Sequence, residues 1–395
     1  MSIRVSLFVH DLSSNPIVRA APIAQSLRLA GFEIEILGFL LRGDRVFPPY
    51  RNLCQYRVLS ASLHPIEVVS RGRELAAMAS GEVHYGFKPY WTSFYPALLA
   101  SRFGRGSPLL LDVEDEPFDY SARFAPLAIA GELARGWRNV VSTKYSWMLH
   151  PFTKFAHGVS VVSTKLQDRY GGELVLHGPS RGEGRQPREI FTPPSDDGRQ
   201  RFGLPSEAPV VGFAGVPRPH KGLAAVVEAL EHPDVDRFHL ALAGPESHPS
   251  FRDAEERLGR RCHLLGFLDN AEMGSFLSAI DIVPVIQRRN RVTEAQVPAK
   301  LLEAMAYGRA VIGSRVGDLP RILGADEASP RGWLIDPGGS DQLAAVLKRM
   351  LSDPAEVRAR AERGRRYIEN EASVEANAPK MRELVERAMD RFQSH

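Results

Sequence analysis

A chain of 395 residues is long for one core and predicts two domains of roughly 150–200 residues each. Its 44% hydrophobic and 25% charged residues argue against a disordered chain, and a net charge of only +3 argues against a nucleic-acid partner. With Cys54 and Cys262 as the sole cysteines, neither a disulfide framework nor a cysteine-built zinc site is expected.

The opening Met-Ser-Ile-Arg runs straight into an apolar segment without the pattern of a signal peptide. No stretch approaches the ~18 apolar residues of a membrane span. The expectation is a cytoplasmic enzyme, with peripheral contact at the inner face of a membrane left open.

In chain order, Ile3–Val9 reads as a strand, His10–Pro16 as a polar loop, Arg19–Ala30 as a helix stopped by Gly31, and Glu33–Phe39 as the next strand. Further strands are expected at Ile66–Val69, Glu82–Phe87, Leu109–Val113 and Val159–Val162. Residues 178–200, rich in Gly, Pro, Arg and Ser and carrying Pro193-Pro194, read as a linker. A second series follows, with strands at Val210–Ala214, Phe238–Ala243, His263–Leu265, Ile282–Ile286 and Ala310–Gly313. Helices are expected at Leu223–Leu230, Ala271–Ala279 and Ala299–Tyr307, and a long amphipathic one at Val374–Gln393. Strands alternating with helices predict an α/β fold with parallel sheets, and two such halves predict a cleft between domains.

Two segments point to chemistry. After the strand Val210–Ala214, Gly215 permits close backbone approach, and Lys221-Gly222 opens a helix whose apolar residues Leu223, Val226, Val227 and Leu230 share one face. Free N–H groups at the helix start, with Arg218 and Lys221 beside them, make a phosphate site. The plain alternative is a βα loop with solvated basic residues; the spacing is not that of a Walker loop. In the second segment Pro298 suits the start of a helix, and Glu303 lies within it among Leu301, Leu302, Met305 and Ala306. A carboxylate there either faces a cleft and accepts from ribose hydroxyls, or lies on the polar face and pairs with Lys300 or Arg309.

Phe213-Ala-Gly…His220-Lys-Gly-Leu223, Leu265-Gly-Phe-Leu268, Ala279-Ile-Asp-Ile-Val-Pro284, Pro298-Ala-Lys-Leu-Leu-Glu-Ala-Met-Ala-Tyr-Gly308 and Gly332-Trp-Leu-Ile-Asp-Pro337 occur in this order. Together they resemble glycosyltransferase family 4, retaining enzymes of the GT-B fold, in which two Rossmann-like domains face each other across a cleft. Weaker matches are Asp112-Val-Glu-Asp-Glu116, Ala156-His-Gly-Val-Ser-Val-Val-Ser163 and Leu174-Val-Leu-His-Gly178.

The resemblance implies a hexosyltransferase with an acceptor domain at 1–190, a donor domain at 191–372, and a helix at 373–395 packing back on the first domain. The donor, a nucleotide-diphosphate sugar, would meet Gly215, Arg218, Lys221, Glu294, Gln296, Lys300, Leu301 and Glu303. Arg218 and Lys221 would neutralise the departing diphosphate, Glu303 would hold the ribose, and neither metal nor cofactor would be required. The acceptor would be a glycan, a lipid-linked sugar or a small molecule, in cell-envelope or polysaccharide biosynthesis.

Two positions depart from the family pattern. Val216 stands where an arginine is usual, and Ala295 where the first of two glutamates is usual, with Glu294 or Gln296 as substitutes for the sugar contact. They leave room for a catalytically weakened nucleotide-sugar-binding protein; a same-fold nucleotide-sugar epimerase, which would alter donor alone, is a separate alternative.

In the first half, the acidic run Asp112, Glu114, Asp115, Glu116 and Asp119 follows a strand. Asp115 is the candidate to orient or deprotonate an acceptor hydroxyl, with Glu114, Asn15 and Arg19 lining the site. A bivalent-metal site and a solvated acidic loop are the alternatives. Residues 124–157, with Trp137, Trp147, Arg135, Arg138, Lys144 and Lys154, combine aromatic and basic groups suited to an anionic membrane or simply to two helices packed on a sheet.

Overall fold

The structure, a computed structural model, describes residues 2–47, 50, 54–104, 106–115, 139–140, 143–180 and 197–394. The chain divides into two compact units, Met1–His177 with Val374–His395, and Gly178–Ser373. The divisions fall at 177/178 and 373/374, against the sequence-based 190/191 and 372/373.

The first domain is built on a parallel sheet of β1 (Arg4–Val9), β2 (Glu33–Leu40), β3 (Tyr56–Ser60), β4 (Val83–Phe87), β5 (Leu109–Val113), β6 (Gly158–Val161) and β7 (Glu173–Leu174). Their spatial order is β3-β2-β1-β4-β5-β6-β7. Buried apolar runs such as Leu109-Leu-Leu suit a sheet covered on both faces. Ile66–Val69, expected as a strand, instead lies in the helix Pro65–Met78. Pro65 sits in its first turn, and the buried positions Val68, Gly72 and Leu75 follow helical spacing.

The long helix Val374–Gln393 belongs to this domain. Its buried face Val374, Asn377, Ala378, Met381, Leu384, Val385 and Ala388 recurs every three or four residues and joins the core that contains Ala24 and Leu27. Hydrogen bonds from Ser26 Oγ to Val374 O (2.9 Å) and from Asn377 Nδ2 to Leu176 O (2.6 Å) fix its start.

The second domain repeats the plan with β8 (Val210–Ala214), β9 (His239–Ala243), β10 (Cys262–Leu264), β11 (Ile282–Val285), β12 (Ala310–Ser314) and β13 (Trp333–Ile335), ordered β10-β9-β8-β11-β12-β13. All pair in parallel. In both sheets the order reverses beside the first strand, between β1 and β4 and between β8 and β11. Ligands of open α/β sheets bind in the crevice at the carboxyl ends of such strands.

Candidate functional site

In the second domain β8 ends at Ala214, and Gly215 turns the chain at φ 100°, its N–H donating to Ala243 O (2.8 Å). A one-turn 3-10 helix, Pro219–Lys221, then delivers Gly222 at φ 67° and ψ 20° as N-cap of the Leu223–Leu230 helix. A Cβ on Gly222 would stand 2.5 Å from Ile286 O, so both the left-handed backbone and the approach to the end of β11 require glycine. Gly222→Ala is therefore expected to cost more than the roughly 1–2 kcal/mol of a left-handed residue, read as a lowered melting temperature. An unchanged melting temperature would contradict this placement. No side chain caps the helix, which leaves its first N–H groups and positive end available.

Lys221 folds back over the turn: a Cβ on Gly215 would be 3.6 Å from its Nζ. Lys300, in the Ala299–Ala306 helix, lies with its Nζ 4.8 Å from the centroid of the Phe213 ring on β8. Burial, then the charge of Lys221, lowers the Lys300 pKa to about 7. Burial, then Arg218, lowers that of Lys221. His220 is depressed by burial and by the charges of Lys221, Arg218 and Lys300. Among the described residues none of Arg218, Lys221 and Lys300 has a carboxylate partner. The end of β8 is thus a concentration of positive charge without an anion.

Glu303 lies one turn beyond Lys300. Burial pushes its carboxyl pKa up, and the carboxylate has neither hydrogen bond nor ion pair among the described residues. The pairing with Lys300 or Arg309 considered from sequence is absent. Leu301, expected as a donor contact, is fully buried and its N–H is spent on Pro298 O (3.0 Å). It faces the core because Leu301, Leu302, Ala304 and Met305 form the helix's packed side.

Glu294 stands in the short helix Arg291–Ala295, with its Oε1 3.0 Å from Arg289 Nη1. Gln296, half-buried, ends that helix. Gln287, just past β11 and unmarked in the sequence, is 3% exposed with an Oε1 that has no partner among the described residues.

The crevice of the first domain gathers different groups. Lys88 follows β4 at φ 65°, unusual for a residue with a side chain. Its N–H donates to Asp112 O (2.8 Å), and its own carbonyl accepts from Tyr90 N (2.8 Å) and Ser93 Oγ (3.0 Å), which holds the strained backbone. Lys88 Nζ reaches Glu114 Oε1 at 2.6 Å and Asp115 Oδ2 at 2.8 Å. Burial raises the Glu114 pKa, while the two carboxylates keep Lys88 protonated despite its burial. Asp115 Oδ1 has no partner among the described residues. His10, at the end of β1, shares a hydrogen bond with Thr92 Oγ1, and burial with the nearby Lys88 charge lowers its pKa to about 3.

Sequence reasoning picked Glu114 and Asp115 but missed Lys88, because only the β4–β5 pairing of Phe87 with Asp112 brings residue 88 to them. Asn15 is exposed in the loop before the first helix. Arg19 is a correction. It is 2% exposed, its guanidinium spans both oxygens of Asp112 (3.1 and 2.7 Å) and donates to Val175 O (2.6 Å), so it is a core ion pair and lines no site. Glu116, Asp119, Arg135, Trp137, Arg138 and Pro193-Pro194 lie outside the described residues, as do the side chains of Lys144 and Trp147. Of the aromatic-basic stretch, Phe152 is exposed and Lys154 Nζ stands 5.5 Å from the Phe155 centroid. No helix among the described residues is long and apolar enough to cross a membrane.

Residues 195–369 match the family model for glycosyl transferases group 1. A 2-deoxystreptamine glucosyltransferase of Streptomyces kanamyceticus is 32% identical over 182 residues, 45% of each chain. An MMP alpha-(1->4)-mannosyltransferase of Mycolicibacterium hassiacum is 27% identical over 46% of this chain and 44% of its own. A D-inositol 3-phosphate glycosyltransferase of Corynebacterium glutamicum is 30% identical over 42% of this chain and 41% of its own. The chain thus spans less than half the length of the curated relatives it matches. Among solved structures, Anabaena HepE in complex with UDP and glucose superposes with a TM-score of 0.70 at 18% identity, covering 97% of this chain and 99% of that one. The sucrose-phosphate synthase of Thermosynechococcus elongatus gives 0.69 at 19% identity, covering both chains fully. WaaG, a glycosyltransferase of lipopolysaccharide biosynthesis, gives 0.61 at 17% identity, again covering both fully. These likenesses establish the GT-B fold, two Rossmann-like α/β domains.

Proposed function

We propose that this protein is a glycosyltransferase that moves a hexosyl group from a nucleotide-diphosphate sugar to an acceptor hydroxyl with retention of configuration, in the manner of glycosyltransferase family 4. The observation that carries the reading is the cluster of Arg218, Lys221 and Lys300 without a counter-anion among the described residues at the end of β8, with Glu303, its carboxylate unpartnered, one turn beyond Lys300 on the same helix. In this reading the diphosphate lies against Lys221, Arg218 and the open end of the Leu223–Leu230 helix, and Glu303 accepts hydrogen bonds from the ribose. As the glycosidic bond breaks, charge grows on the leaving phosphate, where preoriented cations and N–H groups stabilise it. The reading calls for no metal, since these groups supply the positive charge. Glu294 and Gln296 are assigned to the sugar hydroxyls. The glucosyl- and mannosyltransferase above support a hexose donor, and the 2-deoxystreptamine and D-inositol 3-phosphate enzymes support a small-molecule acceptor.

Asp115 is assigned to the acceptor hydroxyl: Lys88 holds its Oδ2, and its Oδ1 is buried without a hydrogen-bond partner among the described residues. A screen of nucleoside diphosphates by thermal stabilisation identifies the base, and its sugar conjugates then serve as donors. Asp115→Asn is expected to slow transfer roughly 10²–10⁴-fold, the usual range for a general base, without weakening nucleoside diphosphate binding. Transfer at the wild-type rate would remove Asp115 from the mechanism. Glu303→Gln should weaken nucleoside diphosphate binding but leave inorganic pyrophosphate binding alone, and equal loss for both ligands would contradict a ribose contact.

A further inference from the structure

Lys221 and Lys300 present two amines to one partly desolvated spot. Lys221 comes from the turn after β8 and Lys300 from the helix that follows Glu294 and Gln296. The charge that acts on Lys300 is that of Lys221, and His220 on the same turn feels Lys221, Arg218 and Lys300, so the turn and the Ala299–Ala306 helix meet here. Among the described residues no carboxylate pairs with Lys300, and Glu303, one turn along the same helix, makes no ion pair. The other neighbour is the Phe213 ring, 4.8 Å from Nζ, which cannot take a proton and offers an ammonium only its π face. Two ammonium groups held here repel each other without an anion between them, and a ligand carrying two or three negative charges reverses that balance.

We propose that a nucleoside diphosphate entering this site brings a proton with it from solvent, and that Lys300 receives it. The inference rests on the donor-site reading above. In the empty site above neutral pH Lys300 is the neutral amine beside the charged Lys221, in keeping with its depression to about 7 by burial and by Lys221. In the complex both amines are charged and both donate to phosphate oxygens. The proton balance is simple: one N–H bond forms at Lys300 Nζ, and the proton is released by buffer. His220, lowered from its ordinary value, is neutral at pH 8.5, and the terminal phosphate, with an ordinary second ionisation near roughly 6, is already fully ionised. By linkage, a complex that holds more protons than its parts weakens as pH rises. Affinity is therefore expected to fall between pH 7 and pH 9, by up to about tenfold per pH unit. An ordinary lysine contact would leave affinity level over that range.

The test is calorimetric titration of the full chain with UDP, GDP and ADP at pH 8.5, in buffers of low and high ionisation enthalpy, none of them phosphate. The binding enthalpy is expected to rise with buffer ionisation enthalpy at a slope of roughly one proton taken up. In Lys300→Met the slope should drop to near zero while binding, held by Lys221 and the helix end, stays measurable. In His220→Asn the slope should persist. A wild-type enthalpy independent of buffer, with binding intact, overturns the proposal and leaves the donor site standing. An unchanged slope in Lys300→Met overturns it too, by placing the proton elsewhere. Absence of binding by all three nucleotides overturns the donor-site reading and this inference together.

Discussion

Lys221→Ala should slow transfer severely and weaken nucleoside diphosphate binding. Its Nζ lies over Gly215, beside the uncapped start of the Leu223–Leu230 helix, and no carboxylate competes for it among the described residues. A hydrogen bond from a charged group is worth ~1.5–3 kcal/mol, so affinity should fall roughly ten- to a hundredfold. A ligand at about 100 times its dissociation constant stabilises the wild type by about 2.7 kcal/mol. After a fiftyfold loss of affinity the same concentration gives under about 1 kcal/mol, a difference visible in a thermal melt. Transfer should suffer more than binding, because charge on the leaving phosphate is greatest in the transition state. Removing one such donor costs roughly 10²–10³ in turnover. A variant that keeps both affinity and turnover would show that the diphosphate lies elsewhere.

The second large effect concerns stability. Arg19→Met should lower the stability of the first domain by ~3–5 kcal/mol, since Asp112, fully buried, would lose its guanidinium and keep Ser160 Oγ as a side-chain donor. At ~2–4 °C per kcal/mol for a domain of this size, the melting temperature should fall by roughly 6–20 °C. Nucleoside diphosphate affinity measured below the melt should stay at the wild-type value, because none of the proposed contacts is in the first domain. Replacing both partners, Arg19→Met with Asp112→Leu, should cost less than Arg19→Met alone, since no buried charge is then stranded. A single variant with unchanged stability, or one that loses acceptor affinity while fully stable, would return Arg19 to a binding role.

Much of the fold was legible because buried parallel strands are short apolar runs between turn residues. Leu109–Val113 and Val210–Ala214 stand where the sequence placed them. Tyr56–Ser60 escaped notice because an edge strand that is half exposed shows no apolar run, and Glu173–Leu174 is too short for any period. Ile66–Val69 misled because four residues of a helix containing two β-branched neighbours look like a strand until the buried spacing over Val68, Gly72 and Leu75 is considered.

At the candidate site, Lys221, Lys300 and Glu303 could be singled out from sequence because they sit at fixed offsets from helix starts. The groups of the first domain were less so. Arg19 looks like any polar residue near a helix start, and its burial depends on Asp112 reaching it from β5. Lys88 becomes significant only when β4 and β5 pair and its backbone is seen at φ 65°. Chemistry assembled from distant strands leaves little trace in local spacing, whereas a turn that ends one strand and opens one helix is written in consecutive residues.

The most direct measurement is a crystal structure of the protein grown with the nucleoside diphosphate that stabilises it best. The account predicts phosphate oxygens within hydrogen-bond distance, ~2.7–3.2 Å, of Lys221 Nζ and of the first N–H groups of the Leu223–Leu230 helix, with ribose hydroxyls on Glu303. Phosphate density away from the end of β8, or a ribose that does not meet Glu303, would contradict it.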